Sequence, residues 1–248
     1  MLQSLNEKFA EARLSVLGDK ISGSGIGTYS EKSLHKILKF TLEPDITKHE
    51  VPYFDFIADI KNESGVIEIQ TRALKNLRSK LEAFLPNGGV TVVYPMYKTC
   101  YRHKVSNDGE ISALRLSPKH QRVCDAAYEL YNIRDFLGCE NLKVVLIFLA
   151  VEEYVREGIE IKVAGRKRTK ERIERIPYRI EDTVELSSPE DYLCLLPEGL
   201  CESFSIADIN KCWGKKFKHG YSIVSILKAL SLVDGEKVGR AIKYRIKG

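Results

Sequence analysis

Leu34, Ile37, Leu38 and Thr41 recur at helical spacing and predict a helix from about Tyr29 to Phe40, opened by Thr28-Tyr29-Ser30-Glu31, which reads as a capping box. The pattern then changes period. His49–Phe54, Phe56–Asn62 and Gly65–Thr71 read as three strands, and the links between them are so short that hairpins are the natural connection. Arg72–Leu85 returns to helical spacing with Leu74, Leu77, Leu81, Phe84 and Leu85 inward, and Val90–Pro95 is apolar on both faces, as a covered interior strand should be. The order is therefore helix, three strands, helix, strand.

Further along, Gln121–Leu137 predicts a helix with Val123, Ala126, Ala127, Leu130, Ile133 and Leu137 inward, and Leu142–Val151 predicts a strand extending the same sheet. The basic run Arg166–Arg175 reads as a solvated hairpin between Glu152–Ile161 and Arg175–Leu186, and Pro189–Leu196 as a short helix. Pro197-Glu198-Gly199 marks a boundary, which divides the chain into 1–197 and 198–248. In the tail, Ser205 is placed to cap a helix with Ile206, Ile209 and Trp213 on one face. A second helix follows over Tyr221–Ser231, and then two short strand-like runs, Leu232–Lys237 and Ala241–Ile246.

Charge sharpens the reading of the tail. The chain has 248 residues and a formal charge of +5, yet Gly199–Gly248 holds ten Lys or Arg against four acidic residues, so the remainder is slightly negative. A concentrated positive excess is expected of a module that meets phosphates. Helix, turn, helix and basic hairpin resemble a winged helix-turn-helix. Its phosphate-facing positions would be Lys215, Lys216, Lys218, His219, Tyr221, Lys237, Arg240 and Lys243.

Composition removes other classes. The longest apolar run, Val144–Val151, is far short of a membrane span, and no charged-then-apolar signal opens the chain, so a membrane or secreted protein is disfavoured. The six cysteines have no zinc-site spacing and read as reduced and structural, which makes a cytoplasmic location the expectation. Gly23, Gly25 and Gly27 fit neither a dinucleotide fingerprint nor a phosphate loop, and Ile21–Ser30 reads as a flexible lead-in.

Polar residues within the predicted strands carry the chemistry. Along the second strand Ile57, Asp59 and Lys61 share one face; along the third, Glu68 and Gln70 do. Asp59 and Glu68 lie nine residues apart across a hairpin, so their carboxylates can converge. A carboxylate inside Val66-Ile67-Glu68-Ile69-Gln70 costs several kcal/mol, roughly, if unpaired, so a cation should face it. A hard divalent ion suits two carboxylates and a backbone carbonyl, and it can activate water for phosphodiester cleavage. The structural alternative is a network in which Lys61, Arg72 or Lys36 pairs with them. His35 and His49 read as surface or hydrogen-bonded residues rather than ligands.

Glu31 on a first helix, Asp59 on a strand and Glu68-Ile69-Gln70 on the next resemble the PD-(D/E)XK nuclease superfamily, whose core has this element order. More narrowly, Glu31-Lys32-Ser33-Leu34-His35, Glu43-Pro44-Asp45, His49-Glu50, Ala58-Asp59-Ile60, Ile67-Glu68-Ile69-Gln70-Thr71-Arg72 and Thr91-Val92-Val93-Tyr94-Pro95 look like an uncharacterised bacterial family of this type with a C-terminal winged helix.

The resemblance implies an α/β fold, a restriction-endonuclease-like mixed sheet flanked by helices with a small winged-helix domain after it. It implies Mg²⁺ or Mn²⁺ held by Asp59, Glu68 and the carbonyl of Ile69, with Glu31 serving the metal or its water. Gln70 departs from the usual Lys: an amide can orient water but can neither take its proton nor supply positive charge.

The expected function is metal-dependent endonucleolytic cleavage of DNA, with the tail holding the duplex. By analogy, double-strand cleavage calls for two sites and hence a homodimer. The rivals are a DNA-binding regulator whose nuclease fold has lost catalysis, and an RNA- or protein-binding scaffold.

Overall fold

The computed structural model describes residues 2–18, 31–106, 108, 110–118, 120–163, 166–239 and 241–247, without the side chains of 31, 32, 159–163, 166, 168, 170, 172 and 174. The lead-in 21–30, the first residues of the predicted capping box and Arg240 fall outside the described residues, as does the Glu31 side chain.

The fold is mixed α/β. Helices α1 (Leu2–Leu17) and α2 (Glu31–Leu42) precede strands β1 (His49–Tyr53), β2 (Phe56–Asn62) and β3 (Gly65–Ile69). Helix α3 (Arg78–Phe84) leads to β4 (Val90–Val105), the short β5 (Arg115–Leu116) and α4 (Ala127–Tyr131), followed by the long strands β6 (Leu142–Val163) and β7 (Arg166–Leu186). The tail holds α5 (Ile206–Trp213), α6 (Gly220–Ala229), β8 (Val233–Val238) and β9 (Ala241–Ile246). One seven-stranded sheet runs in the order β1-β2-β3-β4-β6-β7, with β5 on β4, and β8–β9 form a separate pair. The large sheet is mixed, since β2 and β3 are antiparallel while β3 and β4 are parallel.

The chain divides into two compact units, one of Met1–Val51, Pro95–Gln121 and Ile147–Thr183, the other of Pro52–Tyr94, Arg122–Leu146 and Val184–Gly248. In the first, α1 packs against α2, with Phe9, Ile37 and Leu38 fully buried. Asn6 fastens α1 to β7 by donating to the Ile180 carbonyl and accepting from the Ile180 amide, each at 2.8 Å. Arg13 adds a bond to the Pro177 carbonyl at 3.0 Å.

The second unit carries the parallel β3–β4 ladder and the tail. Its core includes Ile60, Leu74, Leu81, Phe84, Val92, Leu130, Ile223 and Leu227. Helix α6 packs against α4, against α5 and against the 3₁₀ helix Pro189–Leu195. Ser205 caps α5 as its sequence position predicts, with Asp208 closing the capping box.

Three predicted elements take a different form. The helix expected over Arg72–Leu85 is split: Ala73 adopts a left-handed conformation (φ 51°), a 3₁₀ turn covers Leu74–Leu77, and α3 starts at Arg78. The first free amide of that 3₁₀ turn, Leu74 N, donates to Glu129 Oε2 at 2.8 Å, so a carboxylate from α4 fixes the break. The helix expected over Gln121–Leu137 is regular only as α4, after a 3₁₀ turn over Val123–Ala126, although Ala126, Ala127, Leu130, Ile133 and Leu137 are buried as predicted. The hairpin expected at the basic run has longer arms than predicted: β6 continues to Val163 and β7 begins at Arg166, so the basic run is strand, and ladder pairing satisfies its backbone.

Candidate functional site

The β2–β3 hairpin pairs Ile60 with Ile67 and Lys61 with Val66, so Asp59 and Glu68 face each other on neighbouring strands. Alternation sorts the rest: Ala58 and Ile60 are fully buried while Ile57 is 59% exposed. The carboxylates are knitted to the backbone of the opposite strand. Asp59 Oδ2 accepts from Ile69 N at 2.9 Å, and Glu68 Oε1 faces Asp59 N at 3.4 Å.

The cation that faces Glu68 comes from α3. Lys80 Nζ lies 2.7 Å from Glu68 Oε2 and donates to the Ile57 carbonyl, also at 2.7 Å. The Glu68 side chain is 2% exposed and that of Lys80 23%, so the pair is closed from water on the carboxylate side. Burial pushes the Glu68 carboxyl above its ordinary value; the Lys80 hydrogen bond pulls it back only in part, and the Asp59 charge adds to the rise. Of the partners expected from sequence, Lys61 Nζ sits over the Tyr53 ring at 4.7 Å and Lys36 Nζ over Phe40 at 6.0 Å. A signal for Lys80 exists in the sequence. Leu77, Lys80, Leu81 and Phe84 follow the inward helical stripe, and a lysine in an apolar stripe calls for an inward carboxylate.

Gln70 is oriented differently from the expectation. Its amide nitrogen donates to the carbonyls of Arg72 and Ala73, so it buttresses the left-handed turn that launches α3. Ile69 is buried, with its amide on Asp59. Glu31 lies at the start of α2 in the other compact unit. His49, in that same unit, has Nε2 2.7 Å from the Glu43 carbonyl and its ring edge-on to Phe40 at 4.9 Å, the bland role expected of it.

Among the described residues no group of three or more His, Cys, Asp or Glu converges in metal-ligand fashion. Asp59 and Glu68 nevertheless offer hard oxygen donors of the kind Mg²⁺ and Mn²⁺ prefer, and together with the Ile69 carbonyl they fit such an ion in chemistry. Lys80 Nζ holds one Glu68 oxygen, at 2.7 Å.

Of the predicted phosphate-facing residues, Lys215, Lys216, Lys218, Tyr221 and Lys237 are exposed and His219 is half-buried. Lys243 is instead engaged with Asp208 Oδ2 at 2.9 Å. Hydrogen bonds from Lys243 and Ser205 bring the Asp208 carboxyl down to about 2. No helix among the described residues is long and apolar enough to cross a membrane, and all six cysteines are free thiols.

Residues 32–187 match the family described as a domain of unknown function, DUF8091. An uncharacterised protein of Treponema pallidum (strain Nichols) is 30% identical over 188 residues, which covers 71% of each chain. No solved structure matches. The chain belongs to the DUF8091 family, and Asp59, Glu68, Gln70 and Lys80 all lie inside the matched span.

Proposed function

We propose that this DUF8091 member is a metal-dependent endonuclease of the PD-(D/E)XK, restriction-endonuclease-like type that hydrolyses DNA phosphodiesters, with 198–248 acting as a winged helix on the duplex. One observation carries the reading: Asp59 and Glu68 converge on neighbouring strands, and a lysine from α3 closes on Glu68 at 2.7 Å. A buried carboxylate on an interior strand, with a second carboxylate beside it, weakens a fold, and such arrangements are expected where chemistry requires them.

The chain's own residues divide the work. Asp59, Glu68 and the Ile69 carbonyl would hold Mg²⁺ or Mn²⁺, which when bound supplies an acidified water and neutralises phosphate charge. Lys80 supplies the fixed positive charge that an amide at Gln70 cannot, and its flexible four-carbon stem lets the ammonium move from Glu68 to a phosphate oxygen. Gln70 keeps its nitrogen on the turn carbonyls, so its contribution to a water is through the amide oxygen, as an acceptor.

The closed Glu68–Lys80 pair also favours a second reading, a DNA-binding regulator in which the lysine has replaced the metal for good. Plasmid nicking separates the two. The nuclease reading expects Mg²⁺- or Mn²⁺-dependent nicking that Asp59→Asn abolishes together with calorimetric Mn²⁺ binding, while the fold persists. Absence of cleavage by the natural protein on linear, nicked, branched and single-stranded DNA with either metal would hand the protein to the regulator reading.

A further inference from the structure

Two tyrosines on the second compact unit stand out in solvent: Tyr128 on α4 is 53% exposed and Tyr221 at the start of α6 is 60% exposed. Each touches a second ring without being covered by it. Tyr128 lies 5.7 Å from His219 at a 46° tilt, and Tyr221 lies 5.9 Å from Tyr131 at 59°. Tilted neighbours brace a ring and leave it a free face, unlike a parallel stack. The row is anchored from beneath, since His219 stands edge-on to the buried Phe217 at 5.5 Å, and Phe217 lies 6.2 Å from Trp213.

Positive charge surrounds these rings. Lys215, Lys216 and Lys218 are exposed on the loop that Phe217 pins. The Arg134 guanidinium rests 4.3 Å from the centre of the Tyr131 ring. The acidic residues nearest in sequence are engaged elsewhere: Glu129 accepts from Leu74 N at 2.8 Å, Asp125 accepts from the Arg122 amide at 2.8 Å, and Asp135 takes Arg78 at 3.0 Å.

We infer that this surface, where α4 meets the start of α6, is a platform for single-stranded DNA, on which unpaired bases stack against Tyr128 and Tyr221 while the lysine loop follows the backbone. Lysines alone would serve a duplex equally well. Exposed ring faces would not, because a duplex hides the faces of its bases in its own stack and offers phosphates outside. The inference rests on the nucleic-acid reading for the class of partner, DNA, and assigns Tyr221 and the lysine loop to a strand with unpaired bases in place of the duplex.

Binding by the full chain is measured in chelator, so that cleavage plays no part, with a fluorescein-labelled oligo-dT of about twenty nucleotides and a duplex of equal length, across a salt series. The oligo-dT should bind about tenfold or more tightly than the duplex, and Tyr128→Ala/Tyr221→Ala should lose about tenfold or more of that affinity. Tyr128→Phe/Tyr221→Phe, which keeps both rings, should bind as the natural protein does. Replacing Lys215, Lys216 and Lys218 by Ala should flatten the salt slope for oligo-dT by about two. The platform is overturned if the natural protein prefers duplex, or if the paired Ala variant holds oligo-dT unchanged. Loss of plasmid nicking with oligo-dT binding intact would strike the nuclease reading and leave the platform standing.

Discussion

Lys80 Nζ lies 2.7 Å from Glu68 Oε2 and the same distance from the Ile57 carbonyl oxygen, so one ammonium from α3 ties together the two strands that carry the candidate carboxylates. This is a buried carboxylate with a partly wetted partner, and the energetics of the two sides differ. Removing the lysine strands Glu68 in an apolar strand, whereas removing the carboxylate leaves an ammonium that can reach water.

The asymmetry gives a double-mutant cycle. Lys80→Ala should cost about 3 kcal/mol, because Glu68 is left charged and unpaired. Glu68→Gln should cost less than about 1 kcal/mol, since it removes a buried charge. The double variant should lie near Glu68→Gln. Urea unfolding at neutral pH measures all three, and equal costs for the two single variants would show that Glu68 is better solvated than its packing indicates.

Much of this region was legible in sequence. The period-2 alternation of β2 and β3 places Asp59 and Glu68 correctly, and the predicted stripe of α2, Leu34, Ile37, Leu38 and Thr41, is buried throughout. Lys80 escaped because its partner is set by how α3 lies on the hairpin, a tertiary fact, although its place in the stripe was visible. Helix α1 was missed for a related reason: its apolar stripe is weak, with Leu14 61% exposed, and Asn6 and Arg13 fasten it to β7 by polar bonds that no periodicity reports. The break at Ala73 depends on Glu129, which lies 55 positions beyond the Leu74 amide that it accepts from.

Glu153 sets a pH dependence in the other compact unit. Its side chain is 6% exposed; Oε2 accepts from Arg102 Nε and Nη2 at 3.0 and 2.6 Å, and Oε1 from Arg175 Nη2 at 2.7 Å. Burial pushes the carboxyl up, but the bonds from Arg175 and Arg102 outweigh it and hold it below its ordinary value. A carboxyl lowered by folding contributes stability that is present above the unfolded value of about 4.3 and is lost as pH falls through the folded one. The contribution of Glu153 should therefore be flat above about pH 5 and fall below it. Glu153→Gln should remove part of that acid dependence and cost about 3 kcal/mol at neutral pH, where two arginines lose their counter-charge. Unfolding curves across the acid range, with both proteins, decide it.

Gly65 controls where Glu68 sits. Its φ is +117°, a conformation side chains rarely adopt, and a Cβ there would fall on the Gly89 carbonyl oxygen. That oxygen accepts from Val66 N at 2.9 Å, which sets the start of the β3–β4 ladder. Gly65→Ala should cost more than about 2 kcal/mol by combining backbone strain with a backbone clash. Because β3 must shift to relieve it, Mn²⁺ affinity should fall as well, although no carboxylate is touched. Calorimetry on Gly65→Ala at a temperature where it is still folded tests this, and unchanged Mn²⁺ affinity would show that the carboxylate pair does not depend on the β3–β4 register.

Cutting the chain after Pro197 would remove the concentrated positive charge, but it would remove core as well. Helix α6 packs against α4, Trp213 donates to the Leu195 carbonyl at 3.1 Å, and Arg122 Nη1 donates to the Trp213 carbonyl at 2.8 Å. Ile223, Val224, Ile226 and Leu227 are all buried. At about 1.5–3 kcal/mol each, their loss is comparable to the whole stability of a typical domain. The truncated chain should lose cooperative unfolding of the unit that holds Asp59 and Glu68, and Mn²⁺ binding with it. A fall in its DNA affinity would then report unfolding rather than lost phosphate contacts, so charge substitutions at Lys215, Lys216, Lys218 and Lys237 are the sound measure of the tail's electrostatic role. Calorimetric melting of the truncated chain is the check: a cooperative transition at the full-length temperature would show that 1–197 folds without the tail.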